Sequence, residues 1–224
     1  MAVKDTVQIS TAIISVHDKT GIKYFASELA RLNPDVKIIS SGGTYKEIEK
    51  VAAGNVVDVS SYTGFPELPG GLVKTLHPKL HGGILGGDEQ EQDSFMKSHG
   101  IEKIDLVVVN LYPFKKVSSE KNVPVEIARA NMDVGGVSLI EAGCKNFLRV
   151  AVVTEPTDYE KILEHLRAHN TRTDLALRLS LAKRGVAHIS SYLAAISQYF
   201  SGLSPDIIKK EYKTGNLENG SKGL

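Results

Sequence analysis

Apolar positions along this chain follow two spacings, and the change from one to the other separates strands from helices. Residues 11–16 (TAIISV) form a short β-rich run, closed by His17-Asp18-Lys19-Thr20-Gly21. From Ile22 the apolar positions Phe25, Ala26, Leu29, Ala30 and Leu32 fall at helical spacing, with Asp18 or Thr20 as the expected cap. Residues 36–39 (VKII) read as a second buried strand, 45–51 as a helix and 55–59 as a third short strand. The clearest buried strand is 104–110 (IDLVVVN), ended by Pro113. Residues 89–99, 124–131, 137–144 and 158–169 read as helices, the last with Ile162, Leu163 and Leu166 inward, and 149–154 (RVAVVT) as a strand. Residues 175–200 are one long amphipathic helix that tolerates Gly185. This alternation predicts an α/β fold with a parallel sheet and helical crossovers.

Residues 60–87 break the pattern. They are rich in Gly, Pro, Ser and Thr and carry the basic segment TLHPKLHGG. A connection that long is usually functional or disordered. Beyond Gly202 the sequence turns polar and rich in Gly and Lys. The expected organisation is one domain over residues 1–200, including the C-terminal helical segment. A polar tail over 201–224 follows, fraying after about Lys213.

Composition narrows the function. With 27 Lys+Arg against 26 Asp+Glu, the net charge of +1 argues against a nucleic-acid partner, and the absence of Trp argues against a base-stacking surface. The longest nearly apolar run, 104–111, is too short to span a bilayer, and the start MAVKDTVQIS has no apolar signal core. A single cysteine, Cys144, rules out an intramolecular disulfide and fits a reducing cytoplasm. The expectation is a cytoplasmic protein with no membrane partner.

Candidate chemistry sits where strands end. Ser15, His17, Asp18 and Lys19 close the first strand, Ser41, Gly42, Gly43 and Thr44 follow the second, and Asn110, Leu111 and Tyr112 close the strand at 104–110. In open α/β sheets the ligand crevice lies at the carboxyl ends of the strands. SGGT before a helix offers bare backbone N–H groups at a positive dipole end, which suits a phosphate; a tight turn into the helix is the plain alternative. With Lys19 and Lys74 on neighbouring loops, phosphate binding is the stronger reading. Asp133-Val134-Gly135-Gly136 is a second close-approach loop or an ordinary turn. His77 and His81 have the spacing of half a metal site, but Pro78 between them argues against a regular helix, and no metal ligand set is expected. Lys145 reads as a solvated surface charge and Cys144 as core.

Six colinear blocks carry a resemblance: SVHDKTGI (15–22), SGGT (41–44), SSYTGFPELPGGLVKTLHPKLHGGIL (60–85), IDLVVVNLYPF (104–114), MDVGGVSLIEAGCKN (132–146) and VAVVTEPTDY (150–159). Over about residues 11–200 the chain resembles the inosine monophosphate (IMP) cyclohydrolase domain of the bifunctional purine-biosynthesis enzyme, which normally precedes an AICAR transformylase domain. The resemblance implies a methylglyoxal-synthase-like three-layer sandwich with a mostly parallel central sheet and C-terminal helices. It implies a cyclic-amidine hydrolase, needing no metal or cofactor, that closes 5-formamidoimidazole-4-carboxamide ribotide to IMP with loss of water. Purine ribonucleotide substrate and product IMP are then the ligands, and a homodimer is a possible assembly. Carried over by motif, Lys145 is the proton donor/acceptor, Asp133 assists proton transfer, Tyr112 donates to the base or oxyanion, and Lys74 with Thr75 orients the reacting groups. Asn110 and Leu111 line the base site with Val134, Gly135 and Gly136, and Lys19 with Ser41–Thr44 holds the phosphate. Three positions depart from the pattern: His17 replaces a serine, Leu72 an arginine, and Glu141 a basic residue. No transformylase block follows in this sequence. The rival reading is a diverged, non-catalytic nucleotide- or phospholigand-binding module. Methylglyoxal synthase itself shares SGGT but not NLYPF.

Overall fold

The computed structural model describes residues 4–68, 72–87, 89–120 and 123–212. The expected fraying beyond Lys213 lies outside the described residues. The backbone groups into two compact units, residues 1–112 with 133–190, and 113–132 with 191–224.

The larger unit is built on five parallel strands in the order β4-β3-β2-β5-β6. They are β2 (Thr11–Val16), β3 (Lys37–Ser40), β4 (Val56–Asp58), β5 (Leu106–Asn110) and β6 (Ala151–Val153). β2 and β5 read as continuous apolar runs because both sheet faces are covered. Ala12, Ile14, Ile38, Leu106, Val108, Ala151 and Val153 face α1 (Ile22–Leu32), α2 (Gly42–Ala52) and α9 (Tyr159–Ala168), packing with Ile22, Phe25, Leu29, Ile48, Ile162, Leu163 and Leu166. The opposite face meets α8 (Val134–Lys145), where Gly143 lies against Val107 and Val152. The result is the three-layer α/β arrangement expected, with the sheet wholly parallel.

Two short strands were not legible in the sequence. β1 (Thr6–Gln8) and β7 (Arg172–Asp174) pair antiparallel, Thr6 opposite Asp174. Each is three residues long, too short to show a period. Residues 60–87 are less irregular than expected. α3 (Val59–Thr63) is capped by Asp58, and α4 (Pro78–Leu85) begins at Pro78 with the His77 ring accepting the Lys79 N–H at 3.1 Å. Proline at the first helical position starts the helix rather than breaking it, since its missing N–H has no helical partner there. Neither Asp18 nor Thr20 caps α1. Gly21, at φ 71°, takes that position, while Asp18 accepts the N–H of Thr20 at 2.9 Å. α5 (Gln90–Ser98) follows the expected helix closely.

α10 (Leu175–Ser201) buries Leu181, Ala182, Gly185 and Ile189 at helical spacing, and also Arg178, which is 0% exposed. Arg178 donates to the carbonyls of Lys4, Asp5, Phe147, Leu148 and Thr173. The smaller unit contains α6 (Phe114–Ser118), α7 (Val125–Ala130), the end of α10 and α11 (Pro205–Glu211). In it Phe114 meets Tyr192 and Tyr199 edge-on, and Glu211 accepts the Val125 N–H. α11 thus forms a helix within the stretch read as polar tail. None of the described helices is long and apolar enough to cross a membrane.

Candidate active site

Strand register sets the floor of the site. Val16 lies opposite Asn110, Ile14 opposite Ser40, and Ser40 opposite Asp58, so the carboxyl ends of β2, β3, β4 and β5 form one rim. The chain leaves β2 for β3 on one side and reaches β5 on the other, so this rim includes the topological switch point where α/β sheets bind ligands. Asn110, buried, braces the switch. Its Oδ1 accepts the Asp18 N–H at 2.8 Å and its Nδ2 donates to the Asp18 carbonyl at 2.9 Å. Asn110 therefore shapes the loop after β2. Ser15 sits half-buried one residue before the end of that strand.

On one side of the switch, α2 starts directly after Ser41 with no side-chain cap. The first N–H groups of a helix lack intrahelical partners, so those of Gly42, Gly43 and Thr44 face outward at the positive dipole end. Two ammonium groups lie over them. A Cβ on Gly42 would fall 3.2 Å from Lys74 Nζ, and one on Gly43 3.2 Å from Lys19 Cε. Gly42 also sits at φ 54°, where other residues are strained. Thr44 does not point into this cradle. Its hydroxyl donates to the Val16 carbonyl at 3.0 Å and accepts the Val16 N–H at 3.2 Å, tying α2 to β2.

On the other side, Asp133 caps α8, its Oδ1 accepting the Gly136 N–H at 2.7 Å. The glycines here serve close approach. A Cβ on Gly135 would strike Thr75 Oγ1 at 2.6 Å, and one on Gly136 would strike Asp133 Oδ2 and Leu111 Cδ2. Val134, just before them, is exposed. Lys74 and Thr75 are consecutive, so one short strap touches the N-termini of both α2 and α8. Tyr112, 40% exposed, meets the His17 ring edge-on with centroids 4.9 Å apart. Burial raises the Asp133 carboxyl above its ordinary range, with the Gly136 N–H and the charge of His17 opposing. A carboxyl group whose pKa is raised by burial is a candidate for proton transfer.

Beside Lys74 opens a cavity of about 430 Å³ lined by Ser41, Asp58, Ser60, Phe65, Glu67 and His77 among others. Its volume falls in the range of small-ligand pockets. Glu67 pairs with Lys74 at 2.8 Å. Glu67 was missed as an individual residue, although it lies in the TGFPE segment that carried the resemblance. Leu72, 79% exposed, contacts no core and leaves its position open.

Lys145 does not join this cluster within one chain. Asp133 caps the first turn of α8 and Lys145 is its last residue, so at 1.5 Å rise per residue they stand about 18 Å apart. Lys145 is exposed, and Glu141, two turns into the helix, is exposed as well. Cys144 is buried, with its thiol pushed up to about 11 chiefly by burial, and is inert packing.

Comparison with known proteins agrees with this architecture. Residues 21–138 match the family model described as MGS-like domain, and residues 143–221 match the model described as AICARFT/IMPCHase bienzyme. The bifunctional purine biosynthesis protein PurH of Magnetococcus marinus is 45% identical over 197 residues, covering 88% of this chain and 36% of the relative. The PurH of Neisseria meningitidis serogroup C is 42% identical over 210 residues, 93% of this chain and 39% of the relative. The chain thus spans little more than a third of the length of these curated relatives. The crystal structure of ForH superposes with a TM-score of 0.73 at 30% identity, covering 85% of this chain and 98% of that one. The chain belongs to the MGS-like domain family.

Proposed function

We propose that this chain is an IMP cyclohydrolase acting on a purine ribonucleotide in the cytoplasm. The observation that carries the reading is the Lys74-Thr75 strap, which brings a cation to the start of α2 and a hydroxyl to the start of α8. The ligand phosphate sits on the free N–H groups of Gly42 and Gly43, under Lys19 and Lys74. The base reaches toward Tyr112 and Asp133. The carboxamide nitrogen then attacks the formyl carbon, forming the C–N bond of the ring and a tetrahedral oxyanion. Asp133 takes a proton from the attacking nitrogen. The Tyr112 hydroxyl donates to the oxyanion, which takes up the proton that Asp133 removed; the C–O bond then breaks and water leaves with a second proton, released from the former formamido nitrogen as it forms the C=N bond of the ring. Preorganised donors and a positioned base are sufficient in kind for such a step. The test is the absorbance change on conversion of the formamido ribotide to IMP.

The second reading is a phospholigand-binding module without turnover. It is favoured by Lys145, which resemblance casts as the proton donor/acceptor and which stands about 18 Å from Asp133 along α8. IMP binding measured by calorimetry without ring closure would support it.

A further inference from the structure

Away from the candidate active site, α9 carries His165 in its last turn, His169 caps the end of α9 one turn on, and β7 ends on Asp174. One ligand atom from each lies within 4.8 Å of the other two. His165 Nε2 is buried with no hydrogen-bond partner. It stands 3.8 Å from Asp174 Oδ2. That is too long for a hydrogen bond. It is close to the separation of two ligands on one tetrahedral zinc, about 3.4 Å for legs near 2.1 Å. Asp174 Oδ1 already accepts the Leu177 N–H at 2.7 Å, capping α10 and leaving Oδ2 for another partner. His169 Nδ1 lies 2.8 Å from the His165 carbonyl. With Nδ1–H donating there, Nε2 keeps its lone pair, the arrangement that carbonyl hydrogen bonds impose on metal-binding histidines. The two rings stack at 4.1 Å and 16°.

We propose that His165, His169 and Asp174 form a three-ligand site for one divalent transition-metal ion of the zinc class, with water in the fourth position. Two imidazoles and a carboxylate suit zinc, cobalt(II) or nickel(II) better than magnesium or calcium. Two parallel rings do not aim at one point, so the exposed His169 turns about its side-chain torsions while His165 and Asp174 hold position. Bound metal fastens α9 to β7 and to the start of α10, closing the antiparallel ladder that β7 makes with β1.

The experiment is a calorimetric titration of zinc chloride into the untagged, chelator-treated protein, with cobalt(II) absorption as the spectroscopic probe. One equivalent is expected to bind at micromolar affinity, raising Tm and giving a visible cobalt band from mixed nitrogen and oxygen ligands. His169→Ala removes an exposed side chain, and Asp174→Asn retains the cap on α10. Each is expected to weaken binding about tenfold or more and abolish the Tm rise. His99→Ala, at an exposed histidine stacked on Phe95, is expected to change neither. Absence of zinc binding by the folded wild type, or unchanged affinity in both His169→Ala and Asp174→Asn, overturns the proposal.

Discussion

Asp133→Asn separates the two roles of Asp133, one seen in the structure and one proposed for it. As a helix cap, its Oδ1 accepts the Gly136 N–H at 2.7 Å. Asparagine offers the same acceptor and ranks beside aspartate at this position, so stability should stay within about 1 kcal/mol of wild type. Asp133→Ala removes the acceptor and should cost about 1–2 kcal/mol, since the Gly136 N–H is left at a buried glycine. As a base, only the ionised carboxylate serves. Both variants should therefore lose about 10²-fold or more in kcat, roughly 2.7 kcal/mol of transition-state stabilisation. Because burial raises the Asp133 carboxyl, the acidic limb of kcat/KM should lie above the ordinary carboxylate range, with activity rising as pH rises through it. The assays are urea denaturation for stability and IMP formation across pH for activity. Near-wild-type turnover in Asp133→Asn would refute the catalytic role. A stability loss in Asp133→Asn equal to that of Asp133→Ala would refute the capping argument.

Lys145→Ala should lower kcat by less than about tenfold, given its distance from Asp133; a loss near 10²-fold in steady-state kinetics would mean that Lys145 reaches the site from a second copy of the chain. Arg178→Met should destabilise the fold by at least about 3 kcal/mol in urea, because five carbonyls lose their donor in the interior. Arg31, then Arg167, hold the Glu28 carboxyl near a pKa of about 2. A depressed carboxyl contributes stability above its unfolded pKa and loses it as pH falls through the folded one. The Tm advantage of wild type over Glu28→Gln should therefore shrink as pH is lowered from 5 to 2, and calorimetry at several pH values checks it.

What the sequence made legible was whatever repeats at a fixed spacing. Residues 11–16 coincide with β2, and Ile162, Leu163 and Leu166 of α9 point inward as their spacing implies. β1 and β7 escaped because three residues show no period. α4 escaped because Pro78 was read as a breaker when it stands at the helix start. Gly185 reads as a helix weakness in sequence, yet a Cβ there would fall 2.6 Å from Cys144 Sγ, so its small size is a packing requirement. Within the site, the grouping of SGGT with Lys19 and Lys74 was legible because strand ends and helix starts gather at one rim. Thr44 shows the limit: a hydroxyl in a phosphate-like motif is spent on the backbone of β2. Motif spacing also carries no direction: twelve residues of helix put Lys145 at the end of α8 away from Asp133.

The most direct test of cyclohydrolase activity is the absorbance assay on the purified chain, with the formamido ribotide as substrate and IMP identified by chromatography. The proposal predicts stoichiometric IMP formation by this chain, lost in Asp133→Asn while IMP binding persists. No IMP above the uncatalysed rate from folded protein that still binds IMP would contradict it and leave a ligand-binding domain.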